Sequence, residues 1–420
     1  MTDNDVSWQL KSDHLDQIKG KYGTPCYVYD LALLKKRASH LRMLFGDYFS
    51  LSYAVKANPN HQIISTLMPY CGTFDVSSIG EVHRVMAAGV NATDITFSGP
   101  AKRDDEMQQA IAVGVGEIVI ESLDECQRLA KLCAQSGHQQ DVLVRIYPDT
   151  TPNNFGASMA GMASQFGIEE CQLEQALLEI QRQQNLRLRG FHIYAGSNSL
   201  SADAIVENVE IMLDSFERAN AIVNAPMPRL VFGAGFGIPY NESEAPLDLH
   251  DVAARVQDAL HEKQNSLALQ ECKLSLELGR WLVGPAGLLV TSVVTQKISK
   301  EKRICLCDAG FNNHLAAFGL MGSVIKRNWR IKNLSSGSEQ KQRYNLVGPL
   351  CTSIDLLAQN LELPTTRAGD LLAIEMSGAY GLTASPVGFI SHPVPKELAV
   401  DGESVFDISG PLTADKLFKE

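Results

Sequence analysis

Through the first two-thirds of this chain, short apolar runs rich in β-branched and aromatic residues alternate with longer amphipathic stretches. The runs are Ser52 to Val55, Thr73 to Val76, Ile95 to Phe97, Glu117 to Ile120, Val142 to Ile146, Gly190 to Tyr194, Leu230 to Phe232 and Leu274 to Leu276. Between them lie segments such as EVHRVMAAG, SLDECQRLAKLCAQSG and LSADAIVENVEIMLDSFERANAIV. Strands alternating with helical patterns predict βαβ units and parallel pairing. Eight such units without a break predict a closed (β/α)₈ barrel of the TIM type rather than an open sheet. The early units recur every ~20–25 residues, near the minimum for a crossover connection. The later ones are longer and predict extended loops.

From about Trp281 the texture changes. GLLVTSVVTQKI, KRICLCDAG, RYNLVGPLC and DLLAIEMSGAY are β-rich, turn-punctuated and without intervening helices, which predicts an antiparallel β domain. SSGSEQKQ (Ser335 to Gln342) reads as a polar turn or loop. The early piece PCYVYD is a candidate to pair with this second domain. The expected division is an N-terminal segment, 1–30, joining the β domain; a barrel, 31–280; and a β domain, 281–420. A length of 420 residues suits two domains.

The formal charge of −11 argues against nucleic acid as a main partner but leaves room for a small anionic ligand in a local field. No apolar run is long enough to span a bilayer, and the polar start MTDNDVSWQLKSDHLDQIKG lacks the basic flank and apolar stretch of a signal peptide. The nine cysteines are odd in number and scattered, with no CxxC pair, which points to a reduced, cytoplasmic protein. No zinc ligand set or P-loop is present, so no metal is expected.

In a barrel of this kind the C-terminal ends of the strands build the active site. Here those ends carry Lys56, Asp75 and Ser77, Ser98 to Pro100, Glu121 and Ser122, Arg145, His192, the loop GAGFG (Gly233 to Gly237), and then Glu277, Gly279 and Arg280. Singly, Lys56 fits a lysine snorkelling from a strand end, GAGFG a plain turn and His192 a satisfied core histidine. Together they place an amine, acids, a histidine, an arginine and a phosphate-sized glycine loop around one rim. A desolvated lysine there forms Schiff bases with carbonyl groups. Close-approaching backbone N–H groups and Arg280 suit a phosphate, and Glu277 is a candidate partner for a protonated pyridine nitrogen.

YAVKAN, FDVSSIGE, SQFGI, GFHI, GAGFG, ELGR, CDAG, GPLCTSID and SGAY occur in that order along nearly the whole chain. On these motifs the chain resembles the fold type III pyridoxal 5'-phosphate (PLP) dependent decarboxylases, the group of diaminopimelate, ornithine and arginine decarboxylases. The resemblance implies that Lys56 is the Schiff-base lysine, Glu277 the pyridinium partner, His192 a stacking group on the ring and Asp75 a support for that neighbourhood. It implies that Ser197, Gly235, Gly237, Gly279, Arg280 and Tyr380 hold the phosphate side. Cys351 would donate the proton that replaces the carboxylate, while Thr352, Asp355 and Arg145 would face the substrate. Cys351 and Asp355 would reach the site of a second subunit, implying a symmetric homodimer with shared sites.

The departures from that family concern the substrate. Ornithine and diaminopimelate decarboxylases carry an acidic residue after the proton-donor cysteine, and here it is Thr352. A neutral hydroxyl leaves a buried distal ammonium unpaired, which is costly. Diaminopimelate decarboxylases also carry an arginine soon after the DAG motif, and DAGFNNHLAAFG has none. The histidine segment HIYAGSNSL is longer than the usual pattern, and Ala234 stands where glycine is usual. HIYAGSN, SQFGIEE, GPLCTSID and SGAYGLTASPVGFISHP are similar to a specialised branch that includes the butirosin-pathway decarboxylase, acting on a carrier-tethered glutamyl group, and siderophore-pathway decarboxylases, acting on citrate-conjugated amino acids. The expected reaction is loss of the α-carboxylate from a conjugated or modified amino acid, with a carrier protein as a candidate partner. The alternative is a free substrate, meso-diaminopimelate or a basic amino acid. A racemase would pair the pyridine nitrogen with arginine rather than Glu277, and a non-catalytic PLP-binding regulator would tend to lack Lys56 or Cys351.

Overall fold

The computed structural model describes residues 8–152, 155, 157–158, 163–266, 268–321 and 327–410. The first seven residues, part of the expected N-terminal segment, lie outside them. The chain forms two compact units. One comprises residues 37–237 and 247–279; the other comprises the remaining three segments, through residues 36, 238–246 and from 280 onward.

The labelled strands are β1 (Cys26–Asp30), β2 (Phe49–Ala54), β3 (Thr73–Val76), β4 (Ile95–Phe97), β5 (Glu117–Ile120), β6 (Gln140–Tyr147), β7 (Leu186–Ile193), β8 (Arg229–Gly233) and β9 (Lys273–Leu278). In the first unit β2 to β9 are hydrogen-bonded in the order β5-β4-β3-β2-β9-β8-β7-β6, and β5 pairs with β6 to close the ring. Every pairing around the ring is parallel. This is the eight-stranded barrel that the alternation predicts. Val119, Leu143 and Val231 form one buried cluster from three of its strands, as a filled barrel interior requires.

Helices follow the strands because local signals start them there. Ser78 caps the helix Ile79–Ala87 by accepting the Glu81 N–H at 3.2 Å, and the Glu81 carboxylate accepts the Ser77 N–H at 2.8 Å. The same device recurs after β5, where Ser122 caps Leu123–Ser136 and Glu125 accepts the Glu121 N–H at 2.8 Å. An S-x-x-E sequence therefore fixes both strand-to-helix turns at the C-terminal rim of the barrel. The long stretch between β6 and β7 adds Ile168–Glu169, which pairs in parallel with the end of β6.

The second unit holds β10 (Gly287–Ser299), β11 (Lys302–Cys307), β12 (Ile331–Asn333), β13 (Lys341–Val347), β14 (Leu356–Pro364), β15 (Leu371–Ile374), β16 (Lys396–Asp401) and β17 (Ser404–Asp407), together with β1. Their order is β14-β13-β11-β10-β1-β16-β17, with β15 joining β10 to β12. Alternate residues of five strands, among them Cys26, Val28, Leu288, Val290, Leu371, Ala373, Leu398 and Val400, make the core, and Leu10 and Ile18 pack into it. PCYVYD does pair within this sheet. The sheet is antiparallel as expected except at two pairings: β1 runs parallel to β16, and β11 parallel to β13. The first pairing arises because the N-terminal strand enters beside a strand from the far end of the chain. The second follows from the long connection between β11 and β13. The polar segment Ser335 to Gln342 ends earlier than its composition suggests, since Lys341 and Gln342 already belong to β13.

Candidate active site

Lys56 lies one turn past β2. Val55–Ala57 forms a single 3₁₀ turn, closed by the Asn58 N–H donating to the Val55 carbonyl at 3.0 Å. The side chain is 39% exposed, whereas the two carboxylates nearest it are almost fully buried. Its Nζ stands 3.8 Å from Glu277 Oε1 and 4.0 Å from Asp75 Oδ2, and 5.0 Å from the centre of the Tyr194 ring. Strand register accounts for the convergence: β2 lies between β3 and β9, pairing Ala54 with Asp75 and Ser52 with Glu277.

His192 Nε2 is 2.7 Å from Glu277 Oε2, and both groups are buried. Burial is the largest influence on Glu277 and opposes its ionisation. The His192 bond and charge, Lys56 and Arg145 outweigh it, and the carboxyl falls to about 2. Asp75 goes the other way: burial and the neighbouring Glu277 charge raise it well above the usual range, against the pull of Lys56 and Ser98. Two acids around one amine are thus driven apart, and Glu277 is the one held as an anion.

Beside this cluster, Glu121 gathers the rim. It accepts the Gly99 N–H at 2.8 Å, the Gly167 N–H at 3.2 Å and two bonds from Arg145 Nη1 at 3.0 and 3.1 Å. Arg145 also lies over the Phe166 ring, 4.6 Å away. Its expected role facing the substrate is corrected: the guanidinium is buried and committed to Glu121, because an unpaired charge there would be costly.

The glycine loop meets the segment after His192. Ser199 donates to the Gly235 carbonyl and accepts from the Gly237 N–H. Gly235 has φ +66, and a Cβ there would stand 2.6 Å from the Phe155 ring. Only glycine fits that conformation and that contact. Ser197 belongs to a two-residue strand pairing with Ala157. Gly279 packs on the Lys56 turn, where a Cβ would come within 2.7 Å of Ala57.

In the second unit, Arg280 donates to the Tyr240 hydroxyl at 2.5 Å and lies 4.7 Å from the Tyr380 ring, with Tyr380 at φ +53. Cys351 is exposed on a tight loop whose Thr352 N–H bonds the Leu350 carbonyl. Asp355, expected to face the substrate, is buried instead. Its Oδ1 accepts the Phe311 N–H at 2.9 Å and its Oδ2 the Leu350 N–H at 2.8 Å. It therefore ties the DAG segment to the cysteine loop. Gly348 makes this possible, since a Cβ there would sit 2.2 Å from Asp355 Oδ2.

The register thus brings Lys56, Asp75, His192 and Glu277 together. Sequence reasoning missed Tyr194, two residues after His192 on the same strand phase, and Tyr240, just past the glycine loop. The period-two alternation around His192 was the available signal for the first. The barrel residues fit PLP. A half-exposed amine stands beside a fixed anion, and the glycine loop presents backbone at a place that side-chain Cβ atoms would fill.

The pyridoxal-binding domain of the pyridoxal-dependent decarboxylases matches residues 31–284. The L-glutamyl-[BtrI acyl-carrier protein] decarboxylase of Niallia circulans is 29% identical over 97% of this chain and 96% of its own. The 2-[(L-alanin-3-ylcarbamoyl)methyl]-2-hydroxybutanedioate decarboxylase of Staphylococcus aureus is 27% identical over 91% of this chain and 96% of its own. Among solved structures, diaminopimelate decarboxylase from Helicobacter pylori complexed with L-lysine superposes with a TM-score of 0.83 at 27% identity, over 96% of this chain and 98% of that one. Barrel, cluster and matched domain agree, and this chain belongs to the pyridoxal-dependent decarboxylases, enzymes that remove a carboxylate from an amino acid with pyridoxal phosphate.

Proposed function

We propose that this enzyme removes the α-carboxylate of a conjugated or otherwise modified amino acid, rather than of a free diamino acid, in a biosynthetic pathway. The observation that carries the reading lies in the cysteine loop. Thr352 follows Cys351, and the one carboxylate of that loop, Asp355, has both oxygens bound to backbone N–H groups. The loop therefore offers no free anion to a distal ammonium, and the DAG segment offers no arginine to a distal carboxylate. The similarity to decarboxylases whose names specify a carrier-bound glutamyl group and a citrate-like conjugate supports the same conclusion.

In this reading Lys56 tethers the cofactor, Glu277 faces its ring nitrogen, His192 packs on the ring, and the glycine loop, Ser197, Arg280 and Tyr380 take the phosphate side. Bound PLP would supply the electron sink that carboxylate loss needs. The chain does the rest. Glu277 keeps a fixed negative charge because His192 and Lys56 hold it ionised. Glu121, through Gly99, Gly167 and Arg145, keeps the rim loops in place. The Cys351 thiol holds the proton that replaces the lost carboxylate.

The exposed position of Cys351, with exposed apolar Ile354, Phe389 and Ile390 in the same unit, supports a homodimer in which this loop serves a second subunit's site. Among the described residues no helix is long and apolar enough to cross a membrane. The test is carbon dioxide release from lysine, ornithine, diaminopimelate, a citryl-diamino acid conjugate and a carrier-bound glutamyl group. Turnover confined to conjugates is expected, and efficient turnover of free diaminopimelate would refute the proposal.

A further inference from the structure

The hairpin β10–β11 is rich in positive charge in an otherwise acidic chain. Thr295 to Ile304 reads TQKISKEKRI, with Lys297, Lys300, Lys302 and Arg303 against Glu301 alone, while the whole chain has a net charge of −11. Register sets the neighbours. Ile298 pairs with Arg303, Gln296 with Cys305, and Arg303 with Tyr344 of β13. These residues, and Gln342 two positions before Tyr344, share one face. Thr365, Thr366 and Arg367 close its edge, leaving a groove of about 500 Å³. Its wall is fixed: Gln296 Nε2 donates to the Thr366 carbonyl at 2.8 Å, and the Thr366 N–H donates to the Tyr344 hydroxyl at 3.0 Å.

Among the described residues no ion pair joins Lys297, Arg303 or Arg367 to a carboxylate. The nearby acids are engaged elsewhere, Glu362 with Lys341 and Asp370 with the Arg367 N–H and Asn333. Three exposed cations around one groove favour a polyanionic occupant. Ile298, 68% exposed between them, adds an apolar contact that a lone phosphate would not use. An acidic amphipathic helix would use both.

The same sheet leads from this groove to the cysteine loop. β13 begins beside the groove and ends at Val347, four residues before Cys351. From Gln342 to Val347 the strand covers ~17 Å, a span that suits the extended pantetheine arm on which carrier proteins present acyl groups.

We propose that the groove docks an acidic carrier protein that presents the aminoacyl substrate on such an arm. The proposal rests on the conjugated-substrate reading and names the conjugate. Because the α-carboxylate is the group lost, the amino acid must be joined to the carrier through its side chain.

The test uses the PLP-loaded enzyme with a glutamyl group, linked through its side-chain carboxyl, on an acyl-carrier protein and on pantetheine alone. The double reversal Arg303→Glu/Arg367→Glu lies on the surface, and its PLP absorbance serves as the control for folding. It is expected to raise KM for the carrier substrate about tenfold or more, with kcat unchanged and KM for the pantetheine substrate unchanged. Arg303→Gln/Arg367→Gln should give a smaller rise in the same direction, and salt should raise the wild-type KM for the carrier substrate only. Equal use of the two substrates by wild type, or a variant that alters both or neither, overturns the docking site. So does binding of wild type to phosphatidylglycerol vesicles that the reversal abolishes without discriminating the substrates. Turnover of citrate conjugates but neither glutamyl substrate overturns the docking site and leaves the conjugated-substrate reading standing. Turnover of free diamino acids alone overturns that reading itself.

Discussion

The barrel mouth and the cysteine loop hold their functional groups in opposite ways. At the mouth, Glu277, Asp75 and His192 are buried and locked by strand register, ion pairing and one 2.7 Å hydrogen bond. In the loop, Cys351 is exposed and Thr352 half-buried, held through backbone bonds that the buried Asp355 anchors from beneath. A buried, register-fixed cluster suits electrostatics that must not vary, which is what cofactor chemistry asks for. An exposed loop on a rigid anchor can change its side chains without disturbing that cluster. On the proposed function, the cofactor chemistry belongs to the barrel, and the proton donor and the choice of substrate belong to the loop.

The sharpest way to break this division is at the amine. Lys56→Ala should take turnover to background and abolish the visible absorbance of bound cofactor, whatever the substrate. Cys351→Ala should keep the absorbance and lower kcat by roughly 10²–10⁴-fold, the range of a lost proton donor. If Cys351→Ala also lost the absorbance, the loop would belong to cofactor binding rather than to proton delivery.

Glu277→Gln probes the electrostatics. In the cofactor-free protein its carboxyl is depressed from 4.5 to about 2. Its ionisation therefore stabilises the fold above 4.5, and that contribution is lost as pH falls through about 2. Thermal melting of wild type should drop more steeply across that window than melting of Glu277→Gln. Equal slopes would show that the buried pair with His192 is not what holds the carboxylate ionised.

Two smaller effects separate anchor from reader. Asp355→Ala leaves the Phe311 and Leu350 N–H groups without their buried acceptor and should cost about 2–4 kcal/mol in denaturant unfolding. Thr352→Glu touches no anchor. It should leave stability unchanged and raise kcat/KM for free lysine or ornithine relative to conjugates by about tenfold, or ~1.4 kcal/mol. A Thr352→Glu enzyme with unaltered preference would move substrate choice out of the loop.

Much of this was legible in the sequence because register and periodicity are local. All eight barrel strands follow from short apolar runs, and Lys56, Asp75, His192 and Glu277 sit at strand ends where period two and chain position place them. What was not legible depends on partners distant in the chain. Arg145 and Glu121 are 24 residues apart, and only the fold shows that one neutralises the other. Asp355 reads as a pocket acid until the Phe311 N–H, 44 residues earlier, is seen to occupy it. The parallel pairing of β1 with β16 joins opposite ends of the chain, which no local pattern encodes.

The proposed chemistry requires Lys56 to carry the cofactor. Borohydride reduction of the PLP-loaded enzyme, followed by peptide mass mapping, tests it directly. The pyridoxyl group should be found on Lys56, in the sequence SYAVKANPN. Recovery on another lysine, such as the buried Lys102 that pairs with Glu125, would contradict the account.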